Sequence, residues 1–158
     1  MRALATRVGR RLKAKKRRLV SAESCTGGWV AQAVTSIAGS SAWFERGFVT
    51  YSNEAKRELL GVKAATLRKY GAVSEETARE MARGALARSK GNLALAVTGI
   101  AGPGGGIPDK PVGTVCFAWS YQKQLRSETR RFSGDRESVR RKSVVRALQG
   151  VLETLAGG

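Results

Sequence analysis

Two side chains that can act as nucleophiles stand next to each other at Ser24 and Cys25, in the stretch AESCTGG of residues 22–28. The chain contains no histidine, so Ser-His-Asp and Cys-His sites are excluded. A serine can instead be activated by a neutral lysine, if burial or nearby cations lower the pKa of that lysine. Lys56, in YSNEAK, is the candidate base. The alternative is that Ser24 only caps a helix and Lys56 lies on a solvated helix face.

A glycine-rich loop follows a later apolar segment and reads TGIAGPGGG over residues 98–106. It lacks the GK[ST] of a P-loop, and its glycines do not fit the GxGxxG pattern. Glycines do allow the backbone to approach a polar or phosphorylated ligand closely. The loop is therefore a candidate ligand contact, with a plain turn as the alternative.

Apolar periodicity predicts helices and strands that alternate along most of the chain. Helices are expected over 3–16, after Gly27–Gly28, in a short segment capped by Asn53, after Ser74 and after Asp135. Strands are expected near 19–22, 43–51, 92–99, 112–121 and 128–133.

These connections predict an α/β fold. The first three strands are separated by helices, which favours parallel pairing through right-handed crossovers. No helix separates the last three strands, so the fourth should run antiparallel to its neighbours. The expected architecture is a three-layer α/β/α sandwich around a mixed, mostly parallel sheet of about five strands. Ligands bind beyond the carboxyl ends of parallel strands, where ESCTGG, YSNEAK and TGIAGPGGG should meet.

Length and composition favour one globular domain spanning residues 1–158, because 42% of the residues are hydrophobic and 26% are charged. No run reaches the roughly 18 apolar residues of a membrane span, and no apolar segment of a signal peptide follows the basic start. Cys25 and Cys116 are isolated, which suits a reducing cytoplasm. Zinc is not expected without clustered cysteine or histidine.

The net charge of +17 is the most unusual global feature. Residues 1–17 should form a basic leading helix, and a second basic cluster runs from Arg126 to Arg146. Such a surface attracts phosphates and nucleic acids. Because the chain shows no nucleic-acid-binding motif, we expect any such binding to be weak and nonspecific. The charges also fit solvated helix faces.

Four stretches together resemble a known family: AESCTGGWVAQAVTSIAGSSAWFERGFVTYSNEAKRELLGV, GAVSEETAREMA, TGIAGPGGGIPDKPVGTV and FSGDRESVRR. They are similar to the C-terminal domain of the CinA family, over about residues 10–155, and most closely to its stand-alone nicotinamide-nucleotide amidases. The resemblance implies a three-layer α/β/α fold and hydrolysis of nicotinamide mononucleotide to nicotinate mononucleotide and ammonia. It also implies a homo-oligomer and a serine–lysine pair that needs neither metal nor cofactor. Larger CinA proteins add a molybdopterin-binding-like domain, which 158 residues are too few to hold.

Under this resemblance Ser24 is the nucleophile and Lys56 the base. The amides of Cys25, Thr26 and Gly27 would form an oxyanion hole, where one donor is commonly worth about 3 kcal/mol. We expect the substrate phosphate to be held by loop amides around Thr98, Gly99 and Gly102 or by a basic side chain such as Arg140. Glu23 and Tyr51 are the candidates for orienting Lys56. Arg136 and Arg140 could equally be ion-pair partners, and Glu23 and Tyr51 could simply pack.

Two other classes of function stay open at this point. A binding module without catalysis would keep the glycine loop but would need neither Ser24 nor Lys56. A nucleic-acid-associated protein would use the charge of +17. Ammonia release from nicotinamide mononucleotide in the presence of a chelator would separate these classes.

Overall fold

A computed structural model describes all 158 residues. The chain forms five strands, six α-helices and a short 3-10 turn at Ser40–Ala42. The strands are β1 Leu19–Glu23, β2 Phe44–Val49, β3 Leu93–Gly99, β4 Thr114–Tyr121 and β5 Gln124–Arg131. The helices are α1 Arg2–Ala14, α2 Trp29–Thr35, α3 Asn53–Leu60, α4 Ala64–Tyr70, α5 Glu75–Ala87 and α6 Arg136–Gly157.

The five strands form one sheet in the order β2-β1-β3-β4-β5. β1 pairs in parallel with β2 and β3. β4 runs antiparallel to both β3 and β5. This arrangement confirms the mixed sheet with an antiparallel fourth strand, and it places the carboxyl ends of β1, β2 and β3 at one edge.

Helices cover both faces of the sheet and complete the three layers. The α5 layer contains α3, α4 and α5, and the α6 layer contains α1, α2 and α6. A hydrophobic cluster of 23 buried residues lies under the α6 layer, and one of 12 residues lies under the α5 layer. Burial of these apolar side chains is the main favourable contribution to folding.

The closest approach within the α5 layer is at Gly84. A Cβ at this position would lie 1.9 Å from the backbone carbonyl oxygen of Leu60, the last residue of α3. No other residue type could occupy position 84 without moving α3 away from α5.

Two local expectations were wrong, and one helix was missed. Ser52, not Asn53, caps α3, because its hydroxyl accepts the amide of Ala55 at 3.0 Å. The last strand begins at Gln124 rather than near 128, since a two-residue turn returns the chain directly onto β4. Its polar sequence carries no apolar alternation. Helix α4 was not predicted at all.

None of the six helices combines the length and the apolar character that crossing a membrane requires.

Candidate functional site: a serine–lysine pair

Ser24 follows β1 directly, and its amide still donates to the carbonyl of Val97 on β3, at 3.0 Å. Its hydroxyl oxygen lies 2.9 Å from Nζ of Lys56, a residue of α3, the helix that follows β2. The same Nζ donates to the carbonyls of Thr50 at 2.8 Å and Tyr51 at 3.2 Å. The two predicted catalytic side chains are therefore in hydrogen-bond contact.

Lys56 is buried in this site, and burial lowers the pKa of its amine. Its side chain is only 1% exposed, and none of its partners is a carboxylate. Burial lowers the pKa of Lys56 from its ordinary 10.5 to about 8. A useful fraction of the amine is then neutral near physiological pH, which is the form a general base requires.

For Cys25, the alternative nucleophile, burial shifts the pKa away from the reactive form. Burial raises the pKa of its thiol from 9.0 to about 12. The thiolate is the reactive form of cysteine, so Cys25 stays a protonated thiol at any ordinary pH. Cys25 also packs in the hydrophobic cluster under the α6 layer.

Glu23 is fully buried, and it caps α2 instead of contacting Lys56. Its carboxylate accepts the hydroxyl of Thr26 at 2.7 Å and three amides of the following turn and helix, those of Gly28 at 3.2 Å, Val30 at 2.8 Å and Ala31 at 3.0 Å. Ser24 therefore does not cap the helix, because four residues separate it from Trp29 and Glu23 occupies that role. The expectation that Glu23 orients Lys56 was wrong.

Tyr51 does contact Lys56, but through its backbone carbonyl. Its ring is 64% exposed at the mouth of the site. The Tyr51 hydroxyl accepts a hydrogen bond from Arg136 at 3.3 Å. Tyr51 thus connects the lysine to the first turn of α6.

Two amides in the turn after Ser24 have no oxygen acceptor within the protein, those of Cys25 and Thr26. Every amide from Gly27 to Gln32 is used. The Gly27 amide donates to the carbonyl of Ser24 at 3.0 Å, so its expected place in an oxyanion hole was wrong. Gly27 instead supplies a backbone φ of 59°, in the region that favours glycine.

Arg140 lies on α6 and does not line the cleft beside Ser24. Its guanidinium donates from Nε to the carbonyl of Cys25 at 3.1 Å and from Nη2 to the carbonyl of Thr26 at 3.2 Å. It also lies over the ring of Trp29, 5.5 Å from the centroid. The expected phosphate contact of Arg140 therefore stays a prediction that this position does not support. The alternative of an ion pair was wrong, because no carboxylate pairs with Arg140.

A cleft of about 280 Å³ opens beside the serine–lysine pair. All three stretches that the sequence predicts at this edge contribute to it, together with Ala72 and Val73. The lining residues include no carboxylate, whereas Lys56 and Arg136 are both cationic. The cleft therefore suits a ligand that carries negative charge.

The glycine loop, which follows the strand next to β1, also lines the cleft. Thr98, Gly99 and Gly102 line the cleft as expected. The hydroxyl of Thr98 donates to the carbonyl of Ala72 at 2.9 Å, and a Cβ at Gly99 would lie 2.8 Å from Val115. Four lining residues of the loop have backbone amides without a partner within the protein: Ala101, Gly102, Gly104 and Gly105.

Arg136, the first residue of α6, is the basic side chain that does line the cleft. Its Nη1 donates to the carbonyl of Gly102 at 2.8 Å, so it joins the glycine loop to Tyr51. The sequence contained a signal for this residue, because Asp135 caps α6 at 2.9 Å from the amide of Ser138. The residue after such a cap lies at the start of the helix, near the loop.

The fold and the site together define the class of protein. The chain belongs to the family of CinA C-terminal domains, whose model matches residues 1–155.

Individual relatives carry more specific names. The chain is 55% identical over 148 residues to the nicotinamide-nucleotide amidohydrolase PncC of Escherichia coli K12, covering 92% of this chain and 89% of that protein. It is 52% identical over 150 residues to the protein of the same name from Pseudomonas putida, covering 95% and 94%. Among solved structures, the competence/damage inducible protein CihA from Agrobacterium tumefaciens superimposes with a TM-score of 0.94 at 47% identity, covering 98% of this chain and 94% of that one.

Proposed function

We propose that this protein is a nicotinamide-nucleotide amidase that hydrolyses nicotinamide mononucleotide to nicotinate mononucleotide and ammonia. The observation that carries the proposal is the 2.9 Å contact between Ser24 Oγ and the buried Nζ of Lys56, at the base of a cleft without carboxylates. The names of the relatives from Escherichia coli and Pseudomonas putida support the same substrate.

Lys56 acts as general base in the proposed first step. In its neutral form Nζ has two hydrogens and one lone pair. The hydrogens serve the carbonyls of Thr50 and Tyr51, and the lone pair faces the hydroxyl of Ser24. Lys56 takes the hydroxyl proton as Ser24 Oγ attacks the carboxamide carbon. The two backbone carbonyls thus orient the lone pair of the base.

The negative charge of the tetrahedral intermediate develops on the former carboxamide oxygen. The Cys25 amide belongs to a residue that lines the cleft and is the primary donor we assign to that oxygen. The Thr26 amide, which also has no acceptor within the protein, is the second donor we assign. The ammonium form of Lys56 then gives its proton to the carboxamide nitrogen, the C–N bond breaks, and ammonia leaves. A nicotinoyl ester of Ser24 remains, and water activated by the regenerated amine cleaves it.

The part of the cleft lined by the glycine loop and Arg136 is the proposed phosphate site. Arg136 supplies a positive charge there, and the loop amides of Ala101, Gly102, Gly104 and Gly105 supply hydrogen-bond donors without partners. Backbone amides of a glycine loop bind phosphate in the same way in other proteins. Arg136 therefore replaces Arg140 in our assignment.

The test measures ammonia release by the purified protein from nicotinamide mononucleotide in chelator, beside nicotinamide riboside and free nicotinamide. We expect turnover of the nucleotide and a strong preference for it over both compounds without phosphate. Arg136→Gln should raise KM for the nucleotide about 10-fold or more, the range for a charge-assisted contact, with KM for the riboside unchanged. Equal turnover of all three compounds would contradict the phosphate site, and no ammonia from any would contradict the amidase.

Nucleic acid is not part of the proposed function. The five basic residues of α1 form no ion pair, so this helix can attract phosphate backbones without selecting a sequence. Such binding weakens steeply as salt rises. We expect duplex binding to disappear near physiological salt, and tight sequence-selective binding there would favour the nucleic-acid class instead.

A further inference from the structure

We infer that Arg140 is a positioning residue of the amidase: it holds the turn after Ser24 in the conformation that leaves the amides of Cys25 and Thr26 free as donors. This inference rests on the proposed function. In this inference Arg140 contributes to the stabilisation of the transition state, through the amides of the turn, and does not bind the substrate phosphate.

The first step of the argument is peptide geometry. Each peptide group is planar and trans, so its carbonyl and its amide hydrogen point in opposite directions. Arg140 Nε binds the carbonyl of Cys25 at 3.1 Å, which fixes the direction of the Thr26 amide in the same peptide group. The Cys25 amide is fixed through the carbonyl of Ser24, which accepts the amide of Gly27 at 3.0 Å.

The second step is that a free amide needs an external constraint. A buried amide without a partner is costly, so an unrestrained turn would rotate the Cys25–Thr26 peptide to satisfy it. Thr26 is fully buried, and its amide has no oxygen acceptor. The hydrogen bond from Arg140 Nε opposes that rotation, because the carbonyl of Cys25 would have to leave the guanidinium. The bond from Nη2 to the carbonyl of Thr26 holds the next peptide group of the turn.

The third step is that neither Glu23 nor the backbone of the turn holds the carbonyl of Cys25. The carboxylate of Glu23 accepts donors from Thr26 Oγ1 onward along the chain. It therefore holds the helix-side end of the turn. The carbonyl of Ser24 accepts the Gly27 amide, and the carbonyl of Thr26 also accepts the Trp29 amide at 3.0 Å, so the carbonyl of Cys25 is the one that Arg140 alone holds. Arg140 has no carboxylate partner, and its charge is directed at this backbone and at the ring of Trp29.

The chain offers a matched control in Arg141, the next residue on α6. Arg141 lies over the same Trp29 ring at 5.9 Å from the centroid, and it pairs with Glu137 at 3.1 Å. Arg141→Met removes the same charge from the same helix without touching the turn. Arg140→Lys keeps the charge of Arg140 but loses the planar guanidinium that places Nε and Nη2 on two separate carbonyls. It is the variant to use if Arg140→Met does not fold.

The experiment measures kcat and KM on nicotinamide mononucleotide, together with inhibition by pyridine-3-boronic acid. This acid can form a tetrahedral adduct with a serine oxygen. Loss of one oxyanion-hole donor costs about 100- to 1000-fold in kcat, and we expect about 10- to 100-fold from a displaced donor in Arg140→Met. KM should change less than about threefold, since uniform binding is untouched. The inhibition constant of the boronic acid should rise by the same factor as kcat falls.

Arg140→Lys should lie between Arg140→Met and the wild type, and Arg141→Met should match the wild type. A rise in KM with unchanged kcat in Arg140→Met would overturn the inference and return Arg140 to phosphate binding. An equal loss in Arg141→Met would also overturn it. The boronic acid separates this inference from the proposed function, because its affinity can be compared between variants even if the nucleotide is not hydrolysed. Equal affinity in wild type and Arg140→Met, including no binding in either, would count against the inference.

Discussion

The two helical layers of the sandwich act on Ser24 in different ways. The α5 layer contributes one side chain, Lys56, which contacts the serine hydroxyl itself. The α6 layer contributes Arg140, which contacts only backbone carbonyls of the turn. Glu23, on the same side of the sheet as α2, contacts three backbone amides and one hydroxyl of that turn and helix.

This difference separates reactivity from positioning. Lys56 is buried without a negative partner, and its lowered pKa is useful only for proton transfer. Glu23 is equally buried, but four donors satisfy its carboxylate. The buried amine of Lys56 therefore lowers stability but provides a base for proton transfer, whereas the buried carboxylate of Glu23 stabilises the local fold. Each of the following predictions tests one half of this comparison.

The largest effect is expected from the two catalytic side chains. Ser24→Ala and Lys56→Ala should each lower kcat by about 10,000-fold or more, and the double variant should be little worse, because the two residues act as a unit. Steady-state kinetics on nicotinamide mononucleotide measures this. If the losses of the single variants multiplied in the double variant, the two residues would not share one step.

Removing the charge of Glu23 should cost stability. In Glu23→Gln the new amide group places donors against the amides that the carboxylate accepted, which should lower the free energy of unfolding by about 2–4 kcal/mol. Denaturant unfolding measures the change. Glu80→Gln is the control, because Glu80 accepts only two donors and lies partly at the surface of the α5 layer. Equal effects in both variants would show that the Glu23 cap has no special weight.

The pH dependence of kcat/KM should follow the neutral form of Lys56. With a pKa of about 8, the neutral fraction rises about 15-fold between pH 6.5 and pH 8 and levels off above that range. Cys25→Ala should give the same profile, because the thiol does not titrate there. A rising limb that extends to pH 10 would contradict the buried, neutral base.

Lys56→Met should make the protein inactive but more stable. The pKa of Lys56 is lower in the folded chain than its ordinary 10.5, so between pH 8 and 10.5 the unfolded chain binds more protons, and wild-type stability rises with pH. At pH 7 the variant should therefore be about 1–2 kcal/mol more stable, after allowance for lost hydrogen bonds. The advantage should shrink as pH approaches 10.5. Lys63→Met, at an exposed position, is the control and should change stability little at any pH.

The smallest effect is expected from Cys25. Cys25→Ala should keep kcat within a few-fold, since only a thiolate would attack and its pKa is raised to about 12. Alkylating reagents should leave the folded protein active for the same reason. An inactive Cys25→Ala beside an active Ser24→Ala would transfer the nucleophile to Cys25.

The sequence predicted the arrangement of the fold because helix-separated strands leave few topologies. It also predicted that three loops converge, since parallel strands end at one edge. The position of Glu23 was predictable too: neighbouring strand residues face opposite sides, so Glu23 and Ser24 could not both reach Lys56. Assembly as a homo-oligomer stays a prediction.

The contacts of the backbone could not be predicted. Whether the Gly27 amide turns inward or bonds to the carbonyl of Ser24 depends on backbone dihedral angles in the turn, among them the positive φ of Gly27, 59°. Arg140 binds the carbonyl of Cys25, which lies 115 residues earlier in the chain. Because every residue has a backbone carbonyl, the sequence does not indicate which one an arginine will bind. Residue type therefore gave no indication that Arg140 and not Arg136 would hold the turn.

The close approach at Gly84 limits which sequences can carry this chemistry. Leu60, whose carbonyl faces Gly84, lies one helical turn beyond Lys56 on α3. Since a backbone carbonyl cannot rotate aside as a side chain can, even one methyl group at position 84 would have to be accommodated by moving the helix that delivers the amine. The distance from Lys56 to Ser24 thus depends on the absence of a side chain at Gly84 on α5, in a part of the molecule that does not contact the substrate.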